Sequence, residues 1–538
     1  MFNTLQLTTM KKYMALGILS LCSITTFAQS SIEPVIIPDA TARKISTDGN
    51  WVACYGMTIL VYNVDTKDIY AYPECSIGNG NAVALDGTTA GVVEDYAVLM
   101  KNGDIKMPEI FSEYDFSGIN GITSDGKRVT GYVKNPVLNG DNPVDPFDEG
   151  ITVFVPFYSD VTSDGSIEKI NLLPCPEKDF LGYAPMYVTG VWISDDGKTI
   201  LGKMTDSFGR MEDPVIYHEN EKGEWSYITP TKAFFNPTGV VLPENPWNNA
   251  PNEPKYRDYM TPLQYAAYQK AVEESLFGGP EADPFTFMDD DMIKKYLEDY
   301  EEYENYFYTH IAEIDAYEKA YRELLETSLF FGDSVLDPNG EIFVTSGSTY
   351  DDEPDSKSMV VIGNAQTGEY KQFYSKYSGL NIYQVLSDGT VLAYTGLFTY
   401  DVLMGYILLP GAEDFIPFSE YLANTNPEYA KWLNDTFPNG EGIISASDDL
   451  SVVAGGVDIL HMNLSDEVLD TYDGSIMFSY ILPAVKEAGV ETIELPNNDG
   501  IYRVYNLMGV KVLETTDKSE LTKIGKGIYI INGKKVIM

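Results

Sequence analysis

Along most of the chain, short apolar strands alternate with polar residues and are broken at intervals by an Asp-Gly or related pair. The repeated segment runs Ile45–Ala53, Ala84–Val92, Ile122–Gly131 and Ile193–Gly202, then Leu336–Val344, Leu386–Ala393 and, in weaker form, Ser445–Gly455. Each carries the same physics. A strand ends in Ser or Thr, an Asp-Gly turn reverses the chain, and an alternating apolar strand leaves toward a glycine. Glycine accepts positive φ and the aspartate caps its own turn, so the pair favours a tight reversal.

A second hairpin follows several copies: Val153–Tyr158 with Ile167–Leu172, Val215–His218 with Trp225–Ile228, and Met359–Asn364 with Tyr370–Phe373. Two hairpins per repeat mean four strands per unit. Asp48, Asp86 and Asp125 keep a pitch near the ~40 residues of propeller blades. The expected fold is mainly β, a seven-bladed β-propeller-like repeat domain over residues 30–490, with an eight-unit or open arrangement as the alternative. The segment resembles the Ser-x-Asp-Gly turn of many bacterial β-propeller repeats, a likeness that implies fold and little about function. The turn aspartates are expected at equivalent points around a ring, as structural caps rather than as a converging set.

Between the fourth and fifth copies the period changes. Pro230–Pro254 is rich in Pro and Asn and reads as loop. Helical spacing follows over Thr261–Leu276 and then over one long run from Asp289 to Leu329. In that run Ile293, Tyr296, Leu297, Tyr300, Tyr303, Phe307, Ile311, Ile314, Tyr317, Tyr321 and Leu325 recur three or four apart as one stripe. Asp289, Asp290 and Asp291 stand where a helix N-terminus favours acids. This α-helical hairpin, inserted at about 255–330, is expected to lie on the propeller. Its stripe packs against scaffold or partner helix, or grips a glycan or peptide.

The two ends read as addresses. Lys11 and Lys12, the apolar stretch Tyr13–Cys22 and a segment ending at Ala28 make a signal peptide over residues 1–29. Acylation at Cys22, a lipoprotein anchor, is the alternative, although Leu21 stands where such signals want a small residue. At the far end, short alternating strands and an Asn532-Gly533 type I′ turn predict a small C-terminal β-sandwich, residues 491–538. Val-Tyr-Asn-Leu-Met-Gly at 504–509, Lys-Gly-Ile-Tyr-Ile at 526–530 and Gly-Lys-Lys-Val at 533–536 resemble the type A C-terminal sorting domain of the Bacteroidetes type IX secretion system. That resemblance covers under a tenth of the chain. It implies the outer-membrane secretion machinery as a partner and a secreted or outer-cell-surface protein.

Charge narrows the partners. Thirty-six Lys and Arg against 81 Asp and Glu give a net −45. Loss of Lys11 and Lys12 with an acid-free leader takes it to −47. This charge argues against nucleic acid and anionic lipid as partners, since both require basic patches. No segment beyond the leader approaches the ~20 apolar residues of a membrane span. Of four cysteines, Cys54, Cys75 and Cys175 survive export, and an odd number permits at most one bridge.

Catalytic signals are sparse. His218, His310 and His461 are far apart in sequence, and neither a His-Glu-x-x-His helix, a P-loop nor a Gly-x-Ser-x-Gly elbow occurs. Asp160, Thr162, Asp164, Gly165 and Asn171 loosely echo a calcium loop but lack its terminal glutamate, so a hairpin turn is the stronger reading and calcium the one candidate cofactor. No catalytic or cofactor-binding residue is named from sequence, and the metal question stays open. The leading expectation is a non-enzymatic exported binding protein for glycan, peptide or protein. A polysaccharide-acting enzyme with carboxylate catalysis and a structural envelope protein are the alternatives.

Overall fold

The Asp-Gly segments fold as the local chemistry requires. Ser46 Oγ donates to Asp48 Oδ1 (2.6 Å) and Asn50 N–H to the same oxygen (3.1 Å), while Gly49 takes φ +80°. Asp125, Asp196 and Asp449 each take the corresponding pair of bonds, and Asp86 and Asp388 accept the backbone N–H of Thr88 and Thr390. In the fifth copy, where Pro338-Asn339 replaces Ser-Asp, Asp337 does the capping by accepting from Glu341 N and Ile342 N, both at 2.7 Å. Leu450 (φ 60°) stands in the seventh copy where glycine stands in the others, which is why that copy reads weakly in sequence.

The molecule, a computed structural model, is described for residues 34–483 except 57, 76–81, 139–150, 207–211, 277–279, 281, 350–356, 396–403, 438–441 and 459–476, and in the tail for 502–506, 511–516, 520, 528–531 and 534–537. The leader, Cys22, His461, Met508-Gly509 and the Asn532-Gly533 turn lie outside the described residues. The chain divides into two compact units, 1–485 and 486–538.

The first unit is mainly antiparallel β. Its sheets follow chain order, beginning with Ala40–Ile45, Trp51–Gly56, Ile59–Asn63 and Ile69–Tyr72, then Thr89–Val93, Tyr96–Lys101 and Asp104–Lys106. The third comprises Ser117–Ile122, Arg128–Lys134, Phe154–Asp160 and Asn171–Leu172, and the fourth Tyr187–Ile193, Thr199–Thr205, Glu212–Glu219 and Trp225–Ile228. These two join through a single parallel pair, Phe154 opposite Tyr187. The fifth is Leu329–Leu336, Ile342–Thr349, Met359–Asn364 and Tyr370–Tyr374; the sixth Leu380–Val385, Val391–Thr395, Met404–Leu408 and Ile416–Pro417. The last holds Ile443–Ala446, Val453–Asp458 and Met477–Leu482, and its outer strand is Val35–Pro38 from the other end of the unit, with Val35 opposite Ile481 and Pro38 opposite Phe478.

From the second sheet onward, first strands of successive sheets lie against each other, the first two sheets share a core cluster, and the last sheet packs on the first. Their turns are also linked. Leu85 N–H donates to Ser124 O (2.8 Å), Asp195 N–H to Pro338 O (2.7 Å) and Asp448 N–H to Thr47 O (2.9 Å). Ser124 Oγ donates to Asp195, and Ser387 N–H to Asp448 Oδ1 (2.6 Å). Trp51 Nε1 reaches Leu85 O (3.1 Å). Gly340 shows why glycine is required there twice over, since it combines φ +72° with a position 2.8 Å from Ser194 Cβ for any Cβ. The core is a succession of inter-sheet clusters, for example Val335, Val344 and Val360 with Leu380, Ile382 and Val391.

The insertion differs from its expectation in one respect. Three helices form, α1 (Pro262–Leu276), α2 (Asp290–Thr309) and α3 (Ile311–Thr327), because the long run breaks at His310. Thr309 Oγ1 lies 2.8 Å from Asn305 O, and His310 Nδ1 2.8 Å from Tyr306 O, so side chains bond carbonyls of the last turn. The single stripe is thereby divided. Tyr296, Tyr317, Leu324 and Leu325 are buried, whereas Leu297 and Ile311 are exposed. Asp289 caps α2 by accepting Met292 N–H (2.9 Å). A second helical pair that the periodicity did not reveal, α4 (Phe418–Thr425) and α5 (Pro427–Thr436), packs Phe418, Leu422 and Leu433 into the cluster between the sixth and last sheets.

The second unit is a single four-stranded antiparallel sheet among the described residues, where a sandwich was expected. It orders Lys511–Thr515, Tyr502–Asn506, Ile528–Ile531 and Lys534–Ile537.

Candidate functional site

Five first strands carry a β-bulge at corresponding places. The register skips at Arg43, Asn120, Val191, the Gly332-Asp333 pair and Tyr383. A bulge turns one side chain out of the alternation and bends its strand, and bulges gather next to binding sites. Around these bulges, side chains from the first, fourth, fifth and sixth sheets meet.

Lys44 is at the centre, only 3% exposed. Its Nζ lies 3.7 Å from the centroid of the Trp192 ring and 4.5 Å from that of Tyr383, and donates to Tyr383 O (3.3 Å). Two π faces and a carbonyl therefore cage the ammonium. Trp192 is fixed in turn by Nε1 donating to Ser334 O (3.0 Å). The Tyr383 hydroxyl donates to Arg43 O, and its ring meets Tyr394 edge-on at 6.2 Å. Burial holds the Lys44 pKa well below that of an exposed lysine; Asp333 raises it and Arg43 lowers it further. Burial also pushes the Tyr383 phenol up, so it remains a neutral donor.

Arg43, half-buried on its bulge, is close enough for its charge to act on Tyr55, Tyr383 and Tyr394. Among the described residues no carboxylate lies within ion-pair distance of Arg43 or Lys44. The acids nearby are already engaged: Lys203 binds Glu212 and stands 3.6 Å from Asp333. Trp192, Tyr383 and Tyr394 are half-buried here, Lys44 covers one face each of Trp192 and Tyr383, and the Arg43 guanidinium bonds the Tyr383 side chain.

A second surface lies on the outer strands of the third and fourth sheets. A shallow groove of about 590 Å³ is lined by Tyr158, Lys169, Leu172, Pro174 and Trp225. Tyr158 and Trp225 lie 4.9 Å apart, and Arg128 stacks on Tyr158 at 5.1 Å. That arginine is already bound to Asp160 (2.7 Å) and Glu219 (2.8 Å).

Carboxylates also converge away from both surfaces. Asp213, 8% exposed, accepts from Thr231 Oγ1 (3.1 Å) near Asp206 and Asp179. Burial, with the two neighbouring acids, pushes its pKa up to about 7.

The residues singled out by sequence fall elsewhere. His218 is half-buried in Glu212–Glu219, with burial lowering its pKa, and His310 is the break between α2 and α3. Cys54, Cys75 and Cys175 are free thiols, and burial pushes them up to about 12, 11 and 11, out of the range of a nucleophilic thiolate. In the calcium-like loop Asp160 binds Arg128, and Asp164 accepts from Thr162, Ser166 Oγ (2.9 Å) and Lys106 (2.9 Å). This is a hairpin turn whose carboxylates already have protein donors. No group of three His, Cys, Asp or Glu side chains is placed to hold a metal ion among the described residues, where no helix is long and apolar enough to cross a membrane.

No family model matches the chain, and no curated protein matches it by sequence. Its likenesses are to solved structures. An oligogalacturonate lyase from Vibrio parahaemolyticus shares 8% identity over 85% of this chain and 96% of its own, at a TM-score of 0.40. An oligogalacturonate lyase in complex with manganese gives 9%, 86%, 96% and 0.40. The β-propeller domain of the Trilobed protease from Pyrococcus furiosus gives 10%, 78%, 91% and 0.35.

Neither Arg43 nor Lys44 was legible as a site residue. The one available signal was positional: Arg43, Asn120, Val191 and Tyr383 each precede their turn glycine (Gly49, Gly126, Gly197, Gly389) by the same interval while differing in chemistry.

Proposed function

We propose that this chain is an exported, non-enzymatic binding protein, a seven-bladed β-propeller whose axial cluster around Arg43, Trp192 and Tyr383 receives an extracellular ligand. The seven-blade ring is supported by the pairing of Val35–Pro38 with Met477–Leu482, by the packing of the last sheet on the first, and by the turn-to-turn bonds. The observation that carries the binding reading is the meeting of half-buried aromatic rings from two sheets beside Arg43, which has no ion-pair partner among the described residues. Such a surface binds through stacking and charge and needs no reactive group. The acidic remainder of the chain disfavours nucleic acid and anionic membranes.

Residues 1–29 serve as the export signal and 491–538 as a type IX sorting domain, which makes the outer-membrane secretion machinery a partner and places the protein outside the cell. Deleting 491–538 in a Bacteroidetes host leaves the protein in the periplasm; unchanged appearance in the medium or at the surface refutes the sorting role. Binding is tested by thermal shift of the exported protein against a glycan and peptide panel. A ligand at about a hundred times its Kd adds ~2.7 kcal/mol of stability. Absence of any shift across the panel removes small-ligand recognition.

One observation favours the carboxylate-enzyme reading, namely the buried Asp213, pushed up to about 7 beside two further aspartates. Turnover of a glycan by the native protein, abolished in Asp213→Asn, would replace the binding reading with that one.

A further inference from the structure

We infer that the axial cluster is selective for acidic glycans, with the Arg43 guanidinium binding a uronic-acid carboxylate while Trp192, Tyr383 and Tyr394 take the sugar faces. This rests on the propeller-axis binding reading above and specifies its ligand class.

Half-buried arginines in acidic proteins are normally held by a carboxylate, as Arg128 is here by two. Arg43 has none among the described residues, although Asp and Glu outnumber Lys and Arg 81 to 36. Asp333, the acid whose charge reaches Lys44 and Tyr394, lies by Lys203, which also binds Glu212. The guanidinium bonds the Tyr383 side chain and carries no carboxylate, so its remaining N–H donors can meet a carboxylate in bidentate geometry. Lys44 stands beside it in sequence and is buried. Because its own Nζ is spent on two rings and a carbonyl, Lys44 acts as a positioning residue that aligns Trp192 and Tyr383. The surrounding negative charge repels other anions, so entry requires a ligand that also gains from stacking. A sugar ring meets that condition, since its axial C–H face lies flat on an aromatic ring while the carboxylate projects from its edge.

The test is calorimetric titration of the exported protein at pH 7 and low salt with a uronic-acid hexasaccharide, its carboxyl-reduced neutral counterpart, and a sulfated neutral hexasaccharide. The acidic glycan binds, the reduced one binds at least roughly tenfold more weakly, and added salt weakens only the first. Arg43→Ala reduces affinity for the acidic glycan by roughly tenfold to a hundredfold, the loss of one charge-assisted pair, and Arg43→Lys restores part of it. Arg43 is half-exposed, and unchanged melting of both variants shows that they fold. Equal binding of acidic and reduced glycans, unaffected by Arg43→Ala, overturns the charge selectivity and leaves the binding reading standing. Tighter binding of the sulfated glycan assigns the site to sulfate rather than carboxylate and also overturns it. Binding lost in Trp225→Ala but kept in Arg43→Ala moves the site to the outer groove, against this inference. If none of the three glycans binds, both the inference and glycan recognition by this protein fail.

Discussion

Replacing Asp213 with Asn isolates one electrostatic cost in the first unit. Asp213 lies in Glu212–Glu219 opposite Met204, 8% exposed, with Asp206 and Asp179 close enough to repel its charge. An ordinary aspartate titrates near 3.8, whereas this one is pushed up to about 7. Between those values the folded protein holds a proton that the unfolded chain has released. Stability therefore falls as pH rises through the window from about 4 to about 7, and the effect is complete above it. The difference corresponds to roughly 4 kcal/mol at pH 8. Asparagine carries no charge at any pH, and its Oδ1 can accept the Thr231 hydroxyl as the carboxylate does. Urea unfolding of both proteins from pH 4.5 to 8 should give midpoints that nearly coincide at the acid end and separate as pH rises. The variant is then the more stable by about 2–4 kcal/mol at pH 8. Asp195, Asp337 and Asp448 are also raised by burial and titrate in the same sense, but they are common to both proteins and cancel in the difference. Parallel pH profiles, or a variant less stable than the parent at pH 8, would refute the assignment of a buried, proton-holding carboxyl.

Gly131→Ala would set a Cβ 1.9 Å from Gly118 O in the adjoining strand. Backbone must move, so a loss of roughly 3 kcal/mol or more is expected in chemical denaturation; a loss below about 1 kcal/mol would contradict the register. Ile37→Ala tests the strand that joins the two ends of the first unit. Ile37 is 2% exposed opposite Ser479, and its truncation should cost about 2–4 kcal/mol, measured by the same unfolding assay. Little change would mean that Val35–Pro38 is dispensable to closure.

The parts legible from sequence were those whose cause is local. The cap of Asp48 needs only Ser46 and Asn50, so its turn could be read from a few residues, and the hairpins around Tyr217 and Val361 follow from alternation. Where the cause was distant, the reading stopped. The cage of Lys44 is made by Trp192 and by Tyr383, the latter 339 positions away, and nothing near Lys44 announces either ring. The break at His310 was hidden because Thr309 and His310 keep the helical spacing of the stripe while their side chains occupy the carbonyls. Helices α4 and α5 span 8 and 10 residues, too short for a period to stand out, and Asn426-Pro427 between them looks like an ordinary loop signal. The carboxylates at Asp179, Asp206 and Asp213 were indistinguishable from the other acids of an acidic chain until folding buried them.

The turn-to-turn bonds bear on how the first unit comes apart. In an open solenoid each repeat touches only its neighbours, and an end can fray while the middle persists. Here Thr47 receives Asp448 from the far end of the unit, as Ile37 does Ser479, so neither terminal sheet has a free outer side. Every Asp-Gly reversal tightens its own hairpin, and the residue before the aspartate fastens a neighbouring sheet. To peel one sheet away breaks contacts with the sheets on both sides. If the ring proposed above closes, fraying from an edge has nowhere to begin, and the unit should open all at once.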